Sequence, residues 1–416
     1  MIKANLSHDT SCCGIENGLI SVNDAIKSVL KHSDFLGIEI IPLQQALNRY
    51  IAKEVHSNIQ LPLFTQSAVD GYAICSQTPL EVGTEIQLIG EVRAGQSDTF
   101  DLKVGQAVRI FTGAKLPKHT TTVARQEIVE VDEQYIRLSQ SLELDSDIRK
   151  AGEEIGLGQI LVHKHQQLNI GSIGLLAMTG IQEVTVYRVP KVAVVVTGDE
   201  VTNEVENLNS VKIFDANTPL IRAWFQAQHL DVHFEYVGDD ESKVKELFAK
   251  LRQGFDVIIT TGGVSVGDYD FVRPVALDLG FKQIFWKVKQ KPGKPLFFAV
   301  SKQANQHICY LMGLPGNPAA VFMGLQVYVS TLIHALQARK SGPEWCTGIM
   351  EYNLKADTRE RFLRVVARYE QGQLIFRRLP NQQSHMLSNL IDANCLVRIP
   401  ENQSVQVGQI LKGLML

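Results

Sequence analysis

The chain has no CxxC pair. Its six cysteines stand at positions 12, 13, 75, 309, 346 and 395, a scatter that supports neither a zinc ribbon nor a thioredoxin-type motif. It suits reduced thiols in a cytoplasmic protein. Cys12 and Cys13 lie in a polar start and read as a surface oddity rather than a metal pair. No apolar stretch reaches about 18 residues and no signal-peptide pattern precedes Lys27, so a membrane span is not expected. No long basic run occurs, and a formal net charge of -3 disfavours a nucleic-acid binder held by overall charge. GxGxxG and GxxxxGK[ST] patterns are missing, which removes the dinucleotide fingerprint and the P-loop, and no hydrolase triad is read around a serine. Repeats and low-complexity tracts are missing too.

What is present is ordinary globular material: 416 residues, 45% hydrophobic and 20% charged, enough for several cores. A polar tail (residues 1–14) precedes Ser21-Val-Asn-Asp24, which opens a helix running to Leu30 with Val22, Ala25, Ile26 and Val29 on one stripe. Leu43 to Ala52 reads as a second short helix, and Gln166 to Leu176 as a third. Short β-rich runs at 85–89, 107–111 and 135–138 mark a β-rich domain. After Pro190 the pattern changes. Val192-Ala-Val-Val-Val196 is a continuous apolar run, suited to a strand covered on both faces. Strands at 232–236, 255–260, 283–286, 296–300 and 308–312 follow, with helices near 219–227, 241–251, 271–279 and 318–338. This alternation predicts a doubly wound α/β domain over residues 190–338. Beyond Ser341-Gly-Pro343, runs at 362–368, 374–376, 395–399 and 404–407 predict a β-rich C-terminal module over 344–416.

The segment Thr261-Gly-Gly-Val-Ser-Val-Gly-Asp-Tyr-Asp270 concentrates the chemistry. Gly262, Gly263 and Gly267 permit close backbone approach, and a concave run of N–H donors holds phosphate or a similar oxyanion. A plain turn is the alternative. Thr197-Gly-Asp-Glu200 ends an earlier strand, and ligands of open α/β sheets bind beyond the carboxyl ends of strands. Asp199, Glu200, Asp268 and Asp270 suit Mg²⁺ assisted by ligand phosphates; helix capping is the competing role. Lys287, Lys289, Lys291 and Lys294 place four lysines in eight positions. In an extended segment 287, 289 and 291 share one face, as an oxyanion-binding row or a charged surface loop. His163 and His165 read as surface histidines. Asp70 carries little weight from spacing alone.

These segments together resemble the molybdopterin molybdotransferase family, the MoeA type, to which the gephyrin E domain also belongs. The marks are Ser67-Ala-Val-Asp-Gly-Tyr-Ala73, Arg109-Ile-Phe-Thr-Gly-Ala114, Thr197-Gly-Asp-Glu200, Gly262-Gly-Val-Ser-Val-Gly-Asp268, Lys291-Pro-Gly-Lys-Pro295 and Gly313-Leu-Pro-Gly-Asn-Pro318. Arg361-Phe-Leu-Arg364, Gln383-Ser-His385 and Ala393-Asn394 extend the likeness. The resemblance implies a multidomain α/β plus β architecture. Its parts are a helical and extended domain split over 15–60 and 151–189, a β-rich insertion at 61–150, a molybdopterin-binding-like α/β domain and a C-terminal β-barrel. It implies insertion of molybdenum from molybdate into adenylated molybdopterin with release of AMP, in a Mg²⁺-dependent step. Catalytic roles are implied for Asp70, Glu200, Asp239, Asp270, Lys287 and Lys291, with the metal at Glu200 and Asp270. Substrate contacts are implied for Thr112, Thr197, Gly262, Gly263, Ser265, Gly267, Lys294, Pro315, Asn317, Pro318 and Ser384. A homodimer is implied, with Asp70 and Thr112 acting across its interface. Molybdopterin adenylyltransferase and molybdoenzyme maturation proteins are the implied partners, without nucleic acid or membrane.

Departures from the family pattern gather before residue 155. Glu154 stands where the family has Asp, Thr121 where it has an acid, Asn48 precedes Arg49 in place of Gly, and Leu63-Phe-Thr-Gln-Ser-Ala-Val69 replaces Pro-Phe-Asp-Asn-Ser-Ala-Met. They motivate a second reading, a non-catalytic molybdopterin-binding scaffold or carrier. A third, a molybdopterin adenylyltransferase, rests on the α/β domain alone.

Overall fold

Each sheet of this protein is decided by which faces of its strands are apolar. A computed structural model describes residues 18–95, 100–198, 201–202, 212–265, 267 and 270–416. Cys12, Cys13, Asp199, Glu200 and Asp268 lie outside the described residues. The chain divides into two units, one formed by the residues up to Glu39 together with Tyr187–Leu416 and the other by Ile40–Val186.

In the first unit, the opening helix spans Val22–His32. Ser21 caps it by accepting from the backbone N–H of Asp24 at 3.1 Å, a contact worth about 1 kcal/mol. Val22, Ala25, Ile26 and Val29 are buried, the spacing of one helix face. The central sheet has six strands in the order Val232–Val237, Val192–Thr197, Val257–Thr261, Ile308–Leu314, Phe297–Lys302, Lys282–Trp286. The first four run parallel and the last two join antiparallel. Val192, Val194 and Val196 enter one core with Phe225, Ile259 and the opening helix. Ala193 and Val195 enter a second core with Phe248, Val272 and Val275. Both faces are therefore dry, and full burial of each large aliphatic side chain contributes about 1.5–3 kcal/mol.

After Gly313-Leu-Pro-Gly-Asn317 the chain enters a helical stretch to Leu336, with Pro318 at its first turn. Leu325–Val329 forms a π turn within it. Pro318–Leu336 is long and apolar enough to cross a membrane by length and composition, yet 78% of it is buried inside the protein. Gln326, Ser330, Thr331 and His334 interrupt its apolar run in the sequence.

The C-terminal module is a closed five-stranded β-barrel. Glu360–Glu370 pairs with Gln373–Arg378, then come Cys346–Met350, Ile410–Met415 and Cys395–Ile399, which returns to Glu360–Glu370. The strand expected at 404–407 is only a bridge from Val405 to Leu354. A turn with Gly408 at φ +87° ends it, and Ile410–Met415 is the strand instead. Its Gly413 admits Phe376, since a Cβ there would stand 2.7 Å from that ring. A glycine between leucines hid the strand in the sequence.

The second unit holds a six-stranded sheet in the order Thr122–Arg125, Gly71–Ile74, Gln106–Ile110, Glu85–Val92, Tyr135–Leu138, Val129–Asp132. Tyr72 and Ile74 face one core, Ala73 and Cys75 the other. Gly71 is required by pairing: a Cβ there would lie 1.9 Å from the Ala124 carbonyl oxygen. The helix expected over Leu43–Ala52 is a single 3₁₀ turn at Leu43–Gln45. Asn48 adopts φ +64°, and Tyr50 and Ile51 bridge to Gln167 and Val186. For the same reason the helix expected from Gln166 starts at Ile170, where Asn169 caps it by accepting from Ser172 N–H at 2.8 Å.

Candidate functional site

The chain leaves Val192–Thr197, forms the edge strand Val232–Val237, then crosses back to Val257–Thr261 on the other side. The connections thus diverge between the carboxyl ends of Val192–Thr197 and Val257–Thr261, the position where open α/β sheets take ligands. A hydrogen bond spans that point, from the Thr197 hydroxyl to the Thr261 carbonyl at 3.1 Å.

The glycine loop starts there. Gly262 and Gly263 both have positive φ, +92° and +66°. A Cβ on Gly262 would stand 2.8 Å from Thr197 Oγ1, and one on Gly263 would stand 2.7 Å from Val272 Cγ2. The loop is tied by Gly262 N–H to the Leu314 carbonyl at 3.0 Å and by Val272 N–H to the Gly263 carbonyl at 3.1 Å. The backbone N–H groups of Gly263, Val264 and Ser265 have no partner among the described residues. These three successive donors, with Ser265 exposed, are free for an anion. Trp286 Nε1 donates to the Val264 carbonyl at 2.9 Å and fixes the loop from behind. Arg273 and Lys287 lie over the Trp286 ring at 4.2 and 3.9 Å from its centroid, so two cations stand on the residue that braces the loop. Arg273 was not singled out from sequence, because an arginine inside a short helix reads as a solvated face.

Asp270 closes the loop. Its Oδ2 accepts from Gly267 N–H at 2.6 Å, while its other oxygen has no partner among the described residues. That leaves one oxygen for a cation. Among the described residues no group of three or more His, Cys, Asp or Glu side chains converges. Mg²⁺ commonly takes only one or two protein carboxylates, completing its shell with phosphate and water, so the donor Asp270 fits such an ion. Asp239 lies at the end of the edge strand, half-buried, beside the Asp240 cap of the next helix.

Gly313–Pro318 lines the same sheet end. Pro315 is buried, Asn317 is exposed and Pro318 half-buried. Gly316 backs onto the glycine loop, where a Cβ would sit 3.7 Å from Gly262 Cα, and its carbonyl accepts from Asn217 Nδ2 at 2.8 Å. Asp215 accepts from the N–H groups of Asn217 and Thr218 at 2.9 and 3.0 Å. Its second oxygen, and Asn217 Oδ1, are buried with no hydrogen-bond partner among the described residues. Sequence reading missed both; the one available signal was the Asp-x-Asn spacing before a helix, which reads as a cap. Ser384 comes from the barrel, where its carbonyl accepts from Ala319 N–H at 3.1 Å.

The lysines do not form the row expected of an extended segment. Lys287 has φ +70°, which breaks the alternation. Lys287 turns onto Trp286, Lys289 pairs with Glu401 at 2.7 Å, and Lys291 pairs with Asp357 at 3.4 Å. Lys294 is exposed, and its carbonyl accepts from Val288 and Leu296 N–H at 2.9 and 3.0 Å, closing the base of the loop. Gln290 is fully buried inside this loop, donating to the Gly293 carbonyl at 2.9 Å and accepting from the Tyr328 hydroxyl.

In the second unit, Asp70 and Thr112 form a pair of their own. Asp70 Oδ1 accepts from Thr112 N–H at 2.8 Å and from its hydroxyl at 2.7 Å. The backbone N–H and then the hydroxyl of Thr112 hold the Asp70 carboxyl below its usual range. Glu154, His163 and His165 are exposed.

Comparison with known proteins gives these features a family. Three family profiles match in succession: the MoeA N-terminal region (domain I and II) over residues 20–180, a probable molybdopterin binding domain over 193–335, and the MoeA C-terminal region (domain IV) over 348–414. The molybdopterin molybdenumtransferase of Haemophilus influenzae is 33% identical over 402 residues, covering 94% of this chain and 97% of its own length. The chain belongs to the molybdopterin molybdenumtransferase family. The Bacillus subtilis member is 28% identical, with 92% of this chain and 90% of that protein covered. A molybdopterin biosynthesis MoeA structure from Pyrococcus horikoshii aligns at TM-score 0.76 and 27% identity, over 95% of this chain and 99% of that one. A second from the same organism shares the fold at TM-score 0.79 and 23% identity, over 96% and 100%.

Proposed function

We propose that this chain is a molybdopterin molybdenumtransferase that inserts molybdenum from molybdate into adenylated molybdopterin and releases AMP. The three unpaired N–H groups of Gly263, Val264 and Ser265, beside Lys287 and Arg273, carry the reading. They supply a preorganised place for a linked pair of phosphates, whose charge is stabilised without reorganisation. Relatives that match over nearly the whole chain are named molybdopterin molybdenumtransferase.

The reaction balances as a substitution and a hydrolysis. Two thiols of the dithiolene bind molybdenum, and their protons leave with one molybdate oxo group as water. One water is consumed when the phosphorus–oxygen link to AMP breaks. No oxidant or reductant is required. Lys287 and Lys294 offset the charge of the two phosphates and of molybdate, and the glycine loop orients the link to be cleaved. Asp270, with Glu200, would hold Mg²⁺, which supplies Lewis-acid neutralisation of the phosphate oxygens. Asp70 and Thr112 would complete the site from the second protomer of a homodimer.

The test is AMP release by purified protein from adenylated molybdopterin with molybdate and Mg²⁺. Folded dimer that releases no AMP sinks the proposal. Omitting Mg²⁺ must abolish release; release that persists in a chelator removes the metal from it. ATP consumption in the absence of molybdate would instead support an adenylyltransferase.

A further inference from the structure

We propose that Gln290 and Tyr328 form a positioning pair that seats the 291–294 loop on the helix starting at Pro318, and so sets where Lys291 and Lys294 present their charges to the substrate. The proposal rests on the transferase reading of the site and names two buried residues that act on it through the lysines.

Gln290 and Tyr328 are both fully buried. The Gln290 side chain donates from Nε2 to the Gly293 carbonyl at 2.9 Å and accepts at Oε1 from the Tyr328 hydroxyl. A carbonyl only accepts, so Nε2 faces Gly293 and Oε1 is left for Tyr328. Burial raises the Tyr328 hydroxyl well above its ordinary range, which keeps it a donor. Tyr328 stands in the π turn Leu325–Val329, a departure from the α ladder that recurs at functional sites. Gly293 has φ +83° and lies against the same helical stretch: a Cβ there would stand 3.0 Å from Met323 Cε and 3.6 Å from Ala320 Cβ. On the loop's other side, Gln290 and Lys291 pair with Glu360 and Arg361 of the barrel. The loop is thus gripped between a barrel strand and the helix that follows Gly313–Pro318.

Packing alone does not call for this pair. An amide and a phenol hydroxyl lose their hydration on burial, and an apolar pair of the same shape would avoid that cost. What the two hydrogen bonds add is direction. Gly293 is half-buried, so its carbonyl can turn to water once Nε2 is removed. Such a rotation carries its neighbours Pro292 and Lys294 with it. The Lys294 carbonyl accepts from Val288 N–H at 2.9 Å, so that bond reports whether the loop is seated. The sequence hid the pair because its members stand 38 residues apart. Gln290 lies among lysines that draw the eye, and Tyr328 lies inside an apolar helix.

The experiment compares Gln290→Leu, Tyr328→Phe and the double variant on the full chain, by urea unfolding and by AMP release at varied adenylated molybdopterin. Gln290→Leu strands the Tyr328 hydroxyl and Tyr328→Phe strands Gln290 Oε1, so each is expected to lower the urea midpoint. The double variant strands neither and is expected to unfold at or above the midpoint of either single variant. Its kcat/KM is nevertheless expected to fall by about tenfold to a hundredfold, the scale of a misplaced positioning group, mainly through KM. Wild-type kcat/KM in the double variant overturns the proposal. So do kinetics that follow the midpoint across the three variants, since they mark a role in stability only. Hydrogen exchange supplies a readout independent of turnover. The Val288 amide is expected to lose protection in the double variant while amides of the Ile308–Leu314 strand keep theirs. A Val288 amide as protected as in wild type, or loss spread evenly over both segments, overturns the proposal. Should the double variant not fold, Tyr328→Phe alone removes one oxygen and carries the same kinetic and exchange expectations. Wild-type protein that releases no AMP sinks the transferase reading, and the Val288 exchange still decides the seat.

Discussion

Thr197 and Thr261 are joined across the divergence of the central sheet, hydroxyl to carbonyl, at 3.1 Å. The same hydroxyl leaves Gly262 no room for a Cβ, which would sit 2.8 Å from it. Gly262→Ala therefore meets both a positive φ of +92° and a collision. It is expected to cost about 1–3 kcal/mol, read by urea unfolding, and to lower AMP release further than that loss explains. Wild-type activity in the alanine variant would show that the loop does not approach the substrate.

Asp270→Asn separates chemistry from folding. Asp270 is half-exposed at the loop's exit, and substitutions of this kind usually change stability by less than about 0.5 kcal/mol. Turnover is expected to fall steeply with the melting temperature almost unmoved. Unchanged turnover would remove Asp270 from the site.

Asp70→Asn tests the shared site. Each of Asp70→Asn and Asp270→Asn homodimers is expected to be nearly inactive. If each site draws Asp70 and Asp270 from different protomers, mixed dimers place both defects in one site and leave the other intact. Equal mixing should then restore roughly a quarter of wild-type activity by symmetry. No recovery, with subunit exchange verified, would place both residues in one protomer's site or outside it.

His334 gives a pH dependence. Burial, and then the nearby Arg339 charge, lower its imidazole from 6.5 to about 4. The folded state therefore keeps it neutral where the unfolded chain takes up a proton. Its contribution is fully present above pH 6.5 and is lost as pH falls through about 4. At pH 5 the loss is on the order of 2 kcal/mol. Urea unfolding from pH 8 to 4 should show a shallower decline for His334→Gln than for wild type. Parallel curves would assign the acid sensitivity elsewhere.

Asp256 anchors the entry to the α/β sheet. It is 3% exposed and accepts from Arg188 Nη1 and Nη2, each at 2.9 Å, and from Lys191 N–H at 2.7 Å. Asp256→Asn leaves the partly buried Arg188 without its counter-charge and is expected to cost about 2–4 kcal/mol, visible as a lower urea midpoint. A loss under about 1 kcal/mol would mean that Arg188 finds solvent instead.

The fold was legible where one signal decided it. Val192–Val196 is apolar at every position, so a two-faced strand follows from composition alone. Ser21 before Val22, Ala25, Ile26 and Val29 announces both the start and the buried stripe of a helix. The glycine loop was visible because few other uses exist for Gly262 and Gly263 after a buried strand. Long-range effects were not legible. Tyr50 and Ile51 look helical until they pair with segments far along the chain. Lys287, Lys289 and Lys291 look like a row until the φ of Lys287 turns it and Glu401 and Asp357 engage the other two. The unpartnered oxygens of Asp215 and Asn217 are properties of burial, which a cap-like pattern does not reveal.

Trp286 gives the anion loop an optical handle. Its indole is bonded to the Val264 carbonyl and lies beneath two cations, while Trp224 is buried and Trp345 sits under Arg398. A phosphate ligand that draws Lys287 or Arg273 off the ring changes the surroundings of one of only three tryptophans. Occupancy at the loop can then be followed as intrinsic emission in an unlabelled protein, before any bond is broken.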